Sequence, residues 1–373
     1  MDIRDLKHPH IIQWLAAFTR GSEHYLMFPW ADGGSLRDFW KEQQPLRMDL
    51  DGIRGLVWEA LQQFRGLADA FVKLHMDKLY RHGDVKPENI LRFRDGKTVT
   101  GVLQIADFGL AKQHNGPTVR RGPTATRHTT LQYESPEAEE AMKGEAALSR
   151  LSDIWSFGCV MFEYIIWLLY GSDEADRFGN DLRGKTHTVG TAPFYLRRAA
   201  GQAVLNPTVE KWLTHMKNDP EASGDTAIGA LLSIIQHHML TTGILRIDWD
   251  KTDHIHTGPV MLEPGTRASA RESLRLIDGI IVEMRKKGGK YLFKGIGMTK
   301  GQPGRKARGP SPTMTGFLPI RTSTPPQQEH LSPAAAVFRP RSTGARNFPV
   351  PQLRRETVGR LILSGCCLSS LHY

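Results

Sequence analysis

The chain has 373 residues, room for one large two-lobed domain or two ordinary ones, and its 40% apolar and 24% charged residues are ordinary for a soluble globular fold. Its net charge of +10 sits at one end: residues 286–373 hold 15 Lys/Arg against Glu329 and Glu356, a balance of +13, which leaves 1–285 at −3. Only three Cys occur, Cys159 and the adjacent Cys366 and Cys367, which excludes a disulfide framework and favours a reducing cytosolic or nuclear setting.

No apolar export segment opens the chain, so secretion is not expected. Residues 159–170 are the most apolar stretch, too short to span a bilayer and interrupted by Glu163, and they read as part of a buried helix with no membrane role. The spacing predicts the end of a helix over 1–6, stopped by Pro9, then strands over 11–18 and 24–28 with a turn at Gly21-Ser22. Pro29-Trp30-Ala31-Asp32-Gly33-Gly34 breaks regular structure, and Ser35 suits the N-cap of a following helix. From Ile53 to Leu74 apolar residues recur at helical spacing, which predicts one long amphipathic helix.

That helix leads into Tyr80-Arg81-His82-Gly83-Asp84-Val85-Lys86-Pro87-Glu88-Asn89-Ile90-Leu91. Asp95-Gly96 marks a hairpin turn, and the returning strand 102–105 ends at Asp107-Phe108-Gly109. Asp84, Asn89 and Asp107 are therefore expected at one edge of a small hairpin, beside Lys86. Such a set can bind a divalent metal, neutralise a phosphate and orient a hydroxyl. Taken singly, each piece has a plainer reading: a solvated turn, a cap, or Asp153 as the N-cap of its helix.

A loop poor in apolar residues follows and closes with Ser135-Pro136-Glu137, and Ser152-Asp153-Ile154-Trp155-Ser156-Phe157-Gly158 opens the buried helix. The polar stretch 171–187 reads as an insertion loop, with helices expected at 207–217 and 226–239 and a last one after residues 264–272. From Gly288 the composition shifts to Gly, Pro, Ser, Thr and Arg without apolar periodicity, so 290–373 is expected to be disordered apart from a marginal helix near 358–363. The basic tail reads as a solvated extension rather than a nucleic-acid binder, because it lacks interleaved aromatics.

In order and spacing the HGDVKPENIL, DFG, SPE and SDIWSFG stretches, with a late Arg267, resemble eukaryotic protein kinases of the Ser/Thr type. The resemblance implies an α+β kinase-like fold: a remnant of a β-rich small lobe with the hinge over 1–34, a mainly helical large lobe over 35–287, and a disordered tail over 288–373. It implies Asp84 and Lys86 as catalytic residues, Asn89 and Asp107 as Mg2+ ligands, and ATP as co-substrate with a protein as the acceptor. Phe28 takes the gatekeeper place, Pro29, Trp30 and Ala31 the hinge under the adenine, and Leu91 the floor. His82 and Phe108 stack in the hydrophobic spine, and Arg267 pairs with Glu137.

Two departures follow from the same resemblance. Gly83 stands where most kinases carry the Arg that receives an activation-loop phosphate, so control of that kind is not expected despite Thr124, Thr126 and Thr129. No Gly-rich loop, strand Lys or partner Glu precedes the hinge in these 373 residues, as for a small lobe cut short. Without those strands, Ile12, Trp14, Leu26 and Phe28 are expected to lose sheet partners. Two readings stay open on sequence alone: a Ser/Thr kinase, or an inactive kinase-like protein acting as a binding module.

Overall fold

The computed structural model describes residues 6–21, 23–108, 111–113, 131–142, 148–183, 192–199, 201–243 and 265–296, all within the unit that holds Met1–Ser311. The first helix, the Thr-rich loop after Gln113 and the tail beyond 296 with its helix near 358–363 lie outside the described residues.

The strand expected over 11–18 forms only from Ala16. Strand β1 (Ala16–Arg20) pairs antiparallel with β2 (Glu23–Met27), Ala16 opposite Met27, as a sheet of two strands. Ile11 and Ile12 take other partners: Ile12 N–H donates to the Ile105 carbonyl at 2.9 Å, and Ile105 N–H donates to the His10 carbonyl at 2.9 Å. Ile12 is thereby buried rather than stranded, whereas Leu26 and Phe28 stay exposed, together with Leu15 and Phe18. His10 fits only because residue 66 is glycine; a Cβ there would lie 2.0 Å from its ring.

Helix α1 (Leu36–Glu42) starts at Ser35 as expected, with a capping box: the Ser35 hydroxyl accepts from Asp38 N–H, and the Asp38 carboxylate accepts from Ser35 N–H at 2.9 Å. Helix α2 (Leu50–Val72) begins at Asp49, whose carboxylate accepts from Gly52 N–H at 2.7 Å. Its stripe from Ile53 to Phe71 is buried. The last turn widens into a π-type turn at Lys73–Asp77 before the two-residue strand β3 (Tyr80–Arg81). Strands β4 (Ile90–Phe93) and β5 (Val102–Ile105) form the expected hairpin, Ile90 opposite Ile105, while Asp95 accepts from Lys97 N–H and Thr98 N–H, both at 2.9 Å, in the loop. β6 (Lys112–Gln113) pairs with β3, a strand too short to show in the sequence pattern.

Helix α3 (Pro136–Met142) follows, and then α4 (Leu151–Tyr170), whose 20 residues are all buried. It is the one helix among the described residues long and apolar enough to cross a bilayer, but Phe64, Phe71, Tyr164, Phe157 and Trp167 interlock around it as a protein core. The expected insertion loop at 171–187 is instead helix α5 (Ser172–Arg183) where described. Phe178 and Leu182, four residues apart, bury one face of it against the core.

A short hairpin, β7 (Tyr195–Arg197) with β8 (Ala203–Leu205), precedes α6 (Pro207–Lys217) and α7 (Ala227–Ile234), the latter extended by a π-type turn at Ile235–Met239. Helix α8 (Ala270–Lys287) follows the Ser269 cap and so begins two residues before Glu272 rather than after it, and it packs along α2. The folded part does not end at 287. Helix α9 (Gly289–Leu292) and the residues to Ile296 fold back, burying Tyr291, Leu292 and Phe293. The buried Glu221 carboxylate accepts from the N–H groups of Lys294 at 2.6 Å, Gly295 at 3.1 Å and Ile296 at 2.7 Å.

Candidate active site

Helix α2 delivers the chain to the site, and the π-type turn with Leu79 at φ 57° turns it into β3. His82, fully buried, then meets the start of α4. Asp153 does not cap that helix; Arg150 holds the cap position, and the Asp153 carboxylate turns inward. It accepts from His75 Nε2 at 2.8 Å, His82 N–H at 2.8 Å and Gly83 N–H at 2.9 Å. Burial acts to raise its pKa, but the hydrogen bond and charge of His75, the charge of His82 and the Gly83 N–H outweigh burial and hold the carboxyl below the ordinary value.

The loop from 82 to 89 hangs on that hub. His82 Nε2 donates to the Ala106 carbonyl at 2.9 Å, and Asp84 N–H donates back to His82 Nδ1 at 3.2 Å, which together fix the ring's tautomer. The Asp84 carboxylate accepts from Lys86 Nζ at 2.7 Å and from Asn89 Nδ2 at 2.9 Å, and Asn89 Nδ2 also donates to the Asp84 carbonyl at 2.8 Å. The structure thus brings Asp84, Lys86 and Asn89 into direct contact.

Ala106 N–H donates to the Asn89 carbonyl at 2.9 Å, so Asp107 follows directly on the strand bonded to this loop. Asp107 is exposed and holds φ 61°, a left-handed conformation uncommon for a residue other than glycine, which marks a constrained position. The next ring, Phe108, meets His82 edge-on with centroids 4.9 Å apart. Gly109 lies outside the described residues.

The linker is tied to β4 beyond the expected hinge residues. Gly33 N–H donates to the Arg92 carbonyl at 3.1 Å, and Arg92 N–H to the Gly34 carbonyl at 2.8 Å. A Cβ at Gly33 would lie 2.8 Å from that carbonyl, so glycine is required for the approach. Leu91, half-buried, bridges to Ser35. Phe28 and Trp30 stand in the open, 39% and 71% exposed, while Pro29 and Ala31 are half-buried.

Among the described residues no group of three or more His, Cys, Asp and Glu gathers to hold a metal. Asn89 and Asp107 are the side chains here that could hold Mg2+, which takes few protein oxygens alongside phosphate and water. Asn89 Nδ2 is engaged as a donor to Asp84, so Oδ1 is the atom of that amide able to act as a ligand.

Arg267 and Glu137 pair as expected, Nη2 to Oε2 at 3.2 Å, with the guanidinium 5.0 Å from the Trp155 ring centre. Ser135 Oγ donates to Ser152 Oγ at 2.9 Å, which gives the hydroxyl at that place a partner. Sequence reasoning missed His75 and the group Arg37, Glu88, Gln132, Tyr133 and Glu163. The one signal for the latter is Glu163, a carboxylate inside the apolar run 157–170 that must find a cation.

A family model described as protein kinase domain matches residues 2–192. A serine/threonine-protein kinase, D1044.8, of Caenorhabditis elegans is 31% identical over 161 residues, covering 43% of this chain and 14% of that protein. The human mitogen-activated protein kinase kinase kinase 5 is 32% identical over 161 residues, 43% of this chain and 10% of that protein. Aurora kinase A-A of Xenopus laevis is 31% identical over 161 residues, 43% of this chain and 34% of that protein. The match thus spans between a tenth and about a third of these relatives' lengths.

Proposed function

The chain belongs to the protein kinase family, and on that premise we propose that it transfers the γ-phosphoryl group of Mg-ATP to a Ser or Thr hydroxyl of a protein substrate. The observation that carries the reading is the Asp84 carboxylate held at once by Lys86 and Asn89, one hydrogen-bonded strand away from Asp107. Asn89 Oδ1 and the Asp107 carboxylate would hold Mg2+, which would supply positive charge to offset that of the phosphates. Asp84 accepts a hydrogen bond from the acceptor hydroxyl and orients it in line with the phosphorus. Lys86 moves its ammonium charge onto the transferring group, and Asn89 keeps the Asp84 carboxylate aimed. Pro29 to Ala31 and Leu91 receive the adenine, with Phe28 behind it.

The three-Cys composition, with Cys159 a buried thiol, supports a reducing compartment, cytosol or nucleus. A second reading, a kinase fold that binds partners without transfer, draws on the exposed Leu15, Phe18, Leu26, Phe28 and Trp30. One experiment separates the two: label transfer from γ-labelled ATP with Mg2+ to a mixed protein substrate, comparing the full chain with Asp84→Asn. The transferase reading expects phosphoserine or phosphothreonine, reduced roughly 10²–10⁴-fold in the variant. Equal counts from both proteins, or none from either, would leave the binding module as the function.

A further inference from the structure

Arg37, near the start of α1, touches three separate parts of the lobe. Its Nε donates to Glu88 Oε1 at 3.0 Å, and its Nη2 lies 3.1 Å from Glu163 Oε2 and donates to the Tyr133 hydroxyl as well. Its plane covers the Trp40 ring at 4.9 Å. Glu163 sits on the buried helix α4 and also accepts from Tyr133 Oη at 3.0 Å and from Gln132 Nε2. Glu88, by contrast, is half-exposed and lies in the single turn Pro87–Asn89, between Lys86 and Asn89 in the chain.

The two carboxylates differ in what they can do. Burial raises the Glu163 pKa, opposed by Arg37 and Tyr133, so the guanidinium beside it offsets part of the cost of burying that carboxylate. Arg37 is thereby pinned to a carboxylate on the fully buried helix α4. With its other edge it holds Glu88, and through the backbone of that turn it sets Asn89, whose amide holds Asp84. On the opposite side it fixes the turn Leu131–Tyr133, where the chain re-enters the lobe ahead of α3.

We propose that Arg37 is a positioning residue: it ties the turn carrying Glu88 and Asn89, and the turn Leu131–Tyr133, to the buried Glu163, and so keeps Asp84 aimed during transfer. The inference rests on the transferase reading for its kinetic consequence but not for its structural one. It belongs to this chain's own side chains; Asp153 organises the other end of the same loop, through His82 and Gly83.

The test uses the full chain with Arg37→Ala, Arg37→Lys and Glu88→Gln. Amide hydrogen exchange without ligand is read first. Arg37→Ala is expected to speed exchange at least tenfold at Glu88, Asn89, Gln132 and Tyr133 while leaving the β4–β5 hairpin unchanged. Glu88→Gln is expected to speed it at Glu88 and Asn89 alone, and Arg37→Lys to restore part of the protection. In the transfer assay, Glu88→Gln and Arg37→Lys should lower kcat at least fivefold with the KM for ATP within twofold. Unchanged exchange at Glu88 and Asn89 in Glu88→Gln overturns the proposal, and so does a rise in the ATP KM with kcat intact. Should Arg37→Ala loosen α4 throughout, Glu88→Gln decides alone. A chain that transfers no phosphate overturns the function proposed above, while the exchange result still decides the role of Arg37.

Discussion

A buried carboxylate that keeps its charge has to be surrounded by donors, and Asp153 has three of them from two separate segments: His75 at the end of α2, and the N–H groups of His82 and Gly83. Because its folded pKa is depressed, its contribution is fully present above the unfolded carboxylate value of about 3.9 and is lost as pH falls through the folded value. Asp153→Asn keeps the shape but removes the charge and replaces one acceptor oxygen by a donor, which leaves a main-chain N–H or His75 unpaired. We expect a loss of about 3–5 kcal/mol at pH 7, the scale for breaking a buried pair by removing one partner. The difference between variant and wild type should shrink as pH falls below about 4, read from urea midpoints at a series of pH values. Equal slopes for the two proteins across that range would contradict the account. Asp84, Lys86, Asn89 and Asp107 are legible in the sequence because their spacing falls within one loop and one strand end. His75 is not, since its meeting with Asp153 depends on a π-type turn that no periodicity announces.

At the scale of elements, legibility followed how much apolar surface each one buries. The long stripe of α2 and the apolar run of α4 are unmistakable, and so is the Ser35 cap of α1. Helix α5 reads as a polar loop because Phe178 and Leu182 are its only fully buried residues, and the rest of its turns face water. The fold's end was misplaced for a related reason. Tyr291-Leu292-Phe293 is a short apolar group in a Gly- and Lys-rich setting, and its partner, Glu221, is about 70 residues earlier, so nothing local signals that the chain turns back. Arg54 Nε on α2 donates to the Phe293 carbonyl at 2.9 Å and fastens the strap to the helix that feeds the site. Truncation therefore separates sharply by position. A chain ending at Ile296 should unfold with the midpoint of the full protein. One ending at Lys287 uncovers three buried side chains and strips Glu221 of three N–H donors, for a loss of at least about 4.5 kcal/mol at about 1.5–3 kcal/mol per large apolar side chain. Coincident urea curves for the two truncations would show that the strap carries no stability.

For the molecule as a whole, the same architecture makes one side of the site far better built than the other. The proposed phosphate side rests on the core: His82, Asp153 and the inward residues Ile90, Leu103 and Ile105 of the β4–β5 hairpin are buried, and Asn89 and Lys86 are fixed against Asp84. The proposed base side has Phe28 and Trp30 exposed and Pro29, Ala31 and Leu91 only half-buried, beside a sheet of two strands whose Leu15, Phe18 and Leu26 also face water. A ligand stabilises a protein by RT ln(1 + [L]/Kd), so the magnitude of its effect reports its affinity. With so exposed a base side we expect a Kd for Mg-ATP of about 1 mM, which at 1 mM Mg-ATP amounts to roughly 0.4 kcal/mol. We therefore expect Mg-ATP at 1 mM to raise the melting temperature by no more than about 2 °C, given about 2–4 °C per kcal/mol for a domain of this size. The increment should vanish in Asp107→Asn and persist when adenosine is replaced by another nucleoside, because the described structure offers the phosphates more than it offers the base. A shift of several degrees that depends on adenine would mean that the exposed linker, with Trp30, closes over the nucleotide, and that the base side is built in the complex rather than in the free chain.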